Sequence, residues 1–264
     1  MDSHAIQVGS LTVLHHAPSR ATRNPVLFVH GYFADASVFT HWLPFFAERG
    51  FPAYAVNLRG RAGSMPEIDL GRASIADFVD DAAAVAAHLG APAVVGHSMG
   101  GLIAQKLAEQ GRVSAAALVT PAPPRGITVL TPRLLMKQLK YLPAILTSRA
   151  VTPDRGDIRE LVLNCVPAAQ QEVMLDAMVP DSGRAGRDMS ITGVPVDRHR
   201  IRCPMLAVAA DDDRFIPKST VAKIAARYRA PIHTMLGHGH MLIDEPGWEL
   251  AADLIARWLL TAEA

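Results

Sequence analysis

The chain reads as an α/β domain: a mostly parallel, doubly wound sheet flanked by helices, with a helical insertion ahead of its last strands. Three observations lead there. Short apolar, β-branched runs alternate with segments of helical periodicity along most of the 264 residues. One such run, Ala93-Val94-Val95-Gly96, passes through a glycine-flanked serine directly into a helix-like stretch. The alternation lapses between Pro121 and Cys203, where proline-rich loops bracket two helical stretches.

Taken in order, residues 6–8 and 11–15 predict an antiparallel hairpin around Gly9-Ser10, and 26–29 the first core strand. A helix over 37–49 stops at Gly50, a usual C-terminal residue, and 53–57 is the next strand. Ser74 and Asp77 have the spacing of a capping box, opening a helix that runs to Leu89 and Gly90. The strand at 94–96, a helix over 99–110 and a strand at 115–119 follow, and the last third supplies strands at 204–210 and 231–236 with helices over 217–228 and 246–260. These place a core in 1–121 and 203–264, where the alternation holds, and an insertion in 122–202, where it fails.

Composition narrows the function. With half its residues hydrophobic and 19% charged, the chain can build one substantial core. A net charge of +1 gives no electrostatic case for nucleic acid. The N-terminus lacks a basic and apolar leader and no stretch has the length of a membrane span, so a cytoplasmic protein without an integral membrane segment is expected. Two cysteines, Cys165 and Cys203, are too few for a disulfide framework.

Chemistry concentrates at strand ends, where open α/β sheets gather their reactive groups. Gly96-His97-Ser98-Met99-Gly100-Gly101 has the form of a nucleophile elbow, a strand-to-helix turn too tight for a Cβ at 96 or 100. A serine needs a base and an orienting acid, here in the order Ser, Asp, His. After the strand at 204–210 comes Asp211-Asp212-Asp213-Arg214-Phe215-Ile216-Pro217, and after the one at 231–236 comes Gly237-His238-Gly239-His240-Met241. Ser98 has a rival reading as a helix N-cap, Asp212 competes with Asp213 as acid, and His238 competes with His240 as base. His238 and His240 with the aspartates also allow a zinc reading, which leaves the elbow unexplained.

With these motifs the chain resembles the α/β-hydrolase fold superfamily, over nearly its whole length. Gly96-His97-Ser98-Met99-Gly100-Gly101 looks like its elbow and Val29-His30-Gly31-Tyr32-Phe33 like its oxyanion-hole loop. Asp213, four residues before Pro217, looks like its acid, and His240, five before Glu245-Pro246, like its histidine. The resemblance implies a serine hydrolase of the carboxylesterase or lipase-like kind, with 122–202 as a helical cap or lid, acting on a small-molecule ester or acyl substrate with no cofactor and no metal. Ser98, Asp213 and His240 would be catalytic, and the backbone N–H groups of Tyr32 and Met99 would form the oxyanion hole. His30, Gly31, Gly96, His97 and Gly100 would shape the supporting loops. Acyl transfer or haloperoxidase-like perhydrolysis would use the same groups, while a non-catalytic binding relative would not need all three. Where relatives often read Asp-x-Arg-Gly-His-Gly-x-Ser, this chain has Asn57-Leu58-Arg59-Gly60-Arg61-Ala62-Gly63-Ser64, which bears on subfamily.

In the insertion, Thr131-Pro132 is a good helix start, with helices expected over 132–148 and 157–178. Arg133, Lys137 and Lys140 fall on one face of the first helix, and Leu135, Leu139, Leu142 and Leu146 on another. From 122 to 150 there are five basic residues and no acidic one. That pattern fits a solvated basic face over a packing stripe, an apolar wall for an acyl chain, or a surface for membranes or anions.

Overall fold

The computed structural model describes residues 4–129 and 132–262. β1 (His4–Val8) and β2 (Leu11–His16) form the expected hairpin, turning at Gly9 with φ 61°. β3 (Val26–Val29), α1 (Trp42–Glu48), β4 (Ala53–Val56), α2 (Ile75–His88), β5 (Ala93–His97), α3 (Met99–Glu109) and β6 (Ala115–Val119) follow. Next come α4 (Pro132–Gln138), α5 (Leu142–Thr147), β7 (Ala150–Val151), α6 (Arg155–Leu161), α7 (Ala168–Asp176), β8 (Asp181–Ser182) and α8 (Gly183–Arg187). β9 (Met205–Ala210), α9 (Lys218–Tyr228), β10 (Ile232–Met235) and α10 (Trp248–Ala262) complete the chain.

Eight strands make one sheet in the order β1-β2-β4-β3-β5-β6-β9-β10, antiparallel at β1–β2 and β2–β4 and parallel from there on. Every residue of β3, β5, β6 and β9 is buried, as a parallel sheet covered on both faces requires. Because side chains alternate along a strand, the sheet divides the core in two. Leu27, Val29 and Val94 pack with Phe78, Leu102 and Ile224 of α2, α3 and α9. Val26, Phe28 and Val95 pack with Trp42, Phe46 and Ile255 of α1 and α10.

The Ser74–Asp77 capping box is made in both directions. Three expected helices are interrupted, each at a proline. A continuous 37–49 helix would place Pro44 inside it, where the missing N–H and the ring break the ladder. The chain instead makes a 3-10 turn at Ala36–Phe39 and restarts as α1, with Pro44 in its first turn. The 132–148 helix breaks into α4, a 3-10 turn at Leu139–Tyr141 and α5, which has Pro143 in its first turn. The 157–178 helix becomes α6 and α7, with Pro167 as the N-cap of the second.

These breaks alter the surface expected of the insertion. After the 139–141 turn the helix axis is reset, so Leu139, Leu142 and Leu146 face outward while Leu134 and Ile145 are buried. On the basic face, both described lysines are paired. Lys137 pairs with Asp157 and Glu160 at 2.7 and 2.8 Å, and Lys140 with Asp157 and Asp154 at 2.8 and 3.2 Å. The Thr131 helix start lies outside the described residues, as do the side chains of Arg133 and Leu135.

No helix among the described residues is long and apolar enough to cross a membrane. Phe28 is fully buried, with ring centroids of Phe39 and Phe46 at 5.1 Å and of Trp42 at 6.0 Å. Phe28→Ala should therefore destabilise the fold by about 3 to 5 kcal/mol in urea titrations.

Candidate active site

The elbow starts as a steric problem. β5 runs into α3 through Ser98, whose φ of 55° and ψ of −117° are costly for a residue with a Cβ. The turn persists because glycines let backbones touch around it. A Cβ on Gly96 would strike the carbonyl of Gly100, and one on Gly100 would strike the carbonyls of Val29 and His30. Ser98 holds the N-cap position of α3 but makes no side-chain cap to it, so its hydroxyl is left to other partners.

That partner is His240. Its Nε2 lies 3.0 Å from Ser98 Oγ and its Nδ1 2.8 Å from Asp213 Oδ2, with all three residues buried. Since an ionised carboxylate only accepts, Nδ1 carries the proton toward Asp213 and Nε2 is free to accept from the serine. Asp213 is fixed in turn: its Oδ1 accepts the N–H of Phe215 at 2.8 Å and of Ile216 at 2.7 Å. The relay thus joins residues from the ends of β5, β9 and β10.

The sequence rivals are sorted by direction. Asp212 is exposed and meets its neighbours through its backbone, donating to the His238 carbonyl at 3.0 Å and accepting from Asn164 at 3.0 Å. His238 points to Glu245, with Nδ1 3.2 Å from Oε2, an oxygen that also takes the Gly239 N–H at 2.8 Å. Burial pushes the Glu245 carboxyl above its ordinary range. The two imidazoles of His238-Gly239-His240 therefore diverge rather than share a face, and no cluster of three or more His, Cys, Asp or Glu among the described residues could hold a metal ion.

His97, inside the elbow, donates Nε2–H to the His240 carbonyl at 2.9 Å, and Thr120 Oγ1 donates to the same oxygen at 3.3 Å. Thr120 escaped notice in the sequence, where it reads as an ordinary post-strand residue. The His-Gly loop lies against the elbow: a Cβ on Gly31 would come within 3.1 Å of Ser98 Cβ. His30 fixes this loop, because the Leu58 N–H donates to its Nε2 at 3.3 Å, which leaves Nδ1 as the protonated nitrogen, 2.9 Å from the Gly31 carbonyl. That carbonyl shares a peptide plane with the Tyr32 N–H, so holding one aims the other. Neither the Tyr32 nor the Met99 N–H has a backbone acceptor among the described residues.

Ser98, His240, Tyr32 and Met99 open onto a cavity of about 370 Å3. Phe33, Phe215 and Met241 of the core line it together with Leu134, Ile145, Ile158, Met174, Met178 and Met189 of the insertion. Apolar walls of this size around few polar groups match a small-molecule pocket, and methionines let it adapt its shape. Lys137 and Asp157 also reach the lining, already paired with each other.

Burial, reinforced by the Arg61 charge, pushes His30 down to about 3, and burial beside the His240 ring does the same to His97. Both are neutral in the folded protein, whereas the unfolded chain protonates them near 6.5. The stability this provides is complete above pH 6.5 and is lost as pH falls toward 3. Between pH 7 and 5 the two together should cost on the order of 4 kcal/mol. Urea unfolding at the two pH values measures it, and equal midpoints would contradict it.

Comparison with known proteins agrees with this architecture. A non-heme haloperoxidase of Rhodococcus erythropolis is 29% identical over 245 residues, covering 83% of this chain and 87% of its own. A bacterial membrane phospholipase A superposes with a TM-score of 0.75 at 20% identity, covering 99% of this chain and 86% of that one. The monoacylglycerol lipase of Paleococcus ferrophilus superposes with a TM-score of 0.73 at 21% identity, covering 96% and 99%. With the model of the alpha/beta hydrolase family matching residues 26–252, most of the sheet and all of the relay, the chain belongs to the alpha/beta hydrolase family.

Proposed function

We propose that the protein is a serine hydrolase that cleaves a carboxylic ester through an acyl-enzyme, with Ser98 as nucleophile, His240 as general base and acid, and Asp213 as the group that orients the imidazole. The observation that carries this reading is the pair of hydrogen bonds at 3.0 and 2.8 Å that places His240 between Ser98 and Asp213. Ser98 Oγ attacks the carbonyl carbon while its proton passes to His240 Nε2, and Asp213 offsets the imidazolium charge. The Tyr32 and Met99 N–H groups take the oxyanion, helped by the N-terminal end of α3. The tetrahedral species collapses, the leaving alkoxide takes the proton from His240, and water repeats the sequence to release the acid.

The apolar cavity favours an uncharged acyl or alcohol group, and segment 122–202 acts as the cap that supplies more than half of its lining residues. A second outcome uses the same acyl-enzyme: hydrogen peroxide replaces water and leaves as a peracid. Similarity to the Rhodococcus haloperoxidase favours that reading. Bromide oxidation in acetate and peroxide separates it from simple hydrolysis.

p-Nitrophenyl esters test the reading. Wild-type protein should release p-nitrophenol, and Ser98→Ala should lose roughly 10^4-fold or more while remaining folded. Asp213→Asn should lose about 10^4-fold and Asp212→Asn less than about twofold; the reverse order would remove Asp213 from its role. Lengthening the acyl chain should raise kcat/KM about fourfold per buried methylene until the cavity is full. A flat acyl series would argue against the cavity as the acyl site.

A further inference from the structure

The side chain of Arg61 is wholly buried against an equally buried Asp181. The two residues come from different parts of the molecule: Arg61 from the loop after β4, Asp181 from β8 in the insertion. Arg61 Nη1 donates to the Arg59 carbonyl at 3.0 Å and the guanidinium lies 4.8 Å from the Phe78 ring centre, but its Nε finds no acceptor among the described residues. A buried pair that leaves a donor unsatisfied is poorly explained as a source of stability.

Its other contacts supply an explanation. Asp181 Oδ2 accepts the N–H of Phe33 at 2.9 Å, and Phe33 holds φ 65°, a conformation that residues with a side chain seldom adopt. One residue earlier, Tyr32 Oη donates to the carbonyl of Ser182 at 2.6 Å. Tyr32 is therefore gripped from the insertion on two sides, through its side chain and through the peptide that follows it. The peptide that precedes it is held from the core by His30. β8 is itself anchored, since Ser182 Oγ donates to the carbonyl of Gly71 at 3.0 Å and accepts the Ala185 N–H at 3.1 Å.

We propose that Asp181, held in place by Arg61, is a positioning residue for the oxyanion-hole loop, so that docking of the insertion sets the direction of the Tyr32 N–H. This rests on the serine-hydrolase reading above. Asp181 touches no reacting atom. It fixes the Tyr32–Phe33 peptide and, through the backbone, the donor that faces the carbonyl oxygen. A donor misplaced by about 1 Å weakens the transition state far more than the bound ester, so the effect belongs in kcat.

The test compares two double variants, each lacking both buried charges. Arg61→Met with Asp181→Asn keeps an oxygen for the Phe33 N–H, whereas Arg61→Met with Asp181→Leu does not. The Leu version should have kcat lower than the Asn version by about tenfold or more, with KM within about twofold and similar thermal midpoints. Equal kcat values, or a difference confined to KM and melting temperature, would overturn the proposal. If the Leu version does not fold, Asp181→Ser in the same background, too short to reach Phe33, replaces it under the same criteria. Wild-type protein that neither turns over esters nor reacts with a fluorophosphonate at Ser98 would remove the hydrolase reading, and this proposal with it. Active wild type with indistinguishable variants removes this proposal alone.

Discussion

The site depends on one close approach: the backbone of Gly100 against the carbonyls of Val29 and His30. That contact pulls α3 onto the end of β3 and leaves Ser98 no conformation but a left-handed one. A hydroxyl held this way stands clear of the helix it precedes, unable to cap it and ready for a different partner. The same contact brings the His-Gly loop beside the serine, so hydroxyl and loop are positioned by one piece of packing. The strain at Ser98 is sustained by the buried parallel strands on either side, which cannot shift without disturbing the whole core.

The rest of the relay depends on strand order. β5, β6, β9 and β10 are successive neighbours, so Ser98, Thr120, Asp213 and His240 all leave the sheet at one end. Asp213 is then fixed by the backbone N–H groups of Phe215 and Ile216, and His240 by the His97 ring and the Thr120 hydroxyl at its carbonyl. Burial keeps His30 and His97 uncharged, which suits them to these roles because a neutral ring has one donor and one acceptor.

The insertion contributes at two levels. Leu134, Ile145, Met174 and their neighbours complete the cavity wall. β8 reaches deeper, to the loop behind the site, through Asp181 and the Ser182 carbonyl. Segments more than a hundred residues apart in sequence therefore share a hydrogen-bonded layer beneath the pocket. The paired lysines of α4 and the turn at 139–141 show the insertion held to itself by charge.

By itself the sequence determined the alternation of strands and helices, the elbow and the order of serine, acid and histidine, because these follow from local periodicity and from glycines whose contacts are forced by the turn. It left open which aspartate and which histidine join the relay, since Asp212 and Asp213, or His238 and His240, differ only in the direction a loop gives them. It also overextended helices across Pro44, Pro143 and Pro167, where a periodic pattern continues although the backbone cannot. Only the tertiary structure decided the Arg61–Asp181 pairing and the shape of the cavity. Both depend on how the insertion docks, a long-range packing outcome that no local pattern of residues encodes.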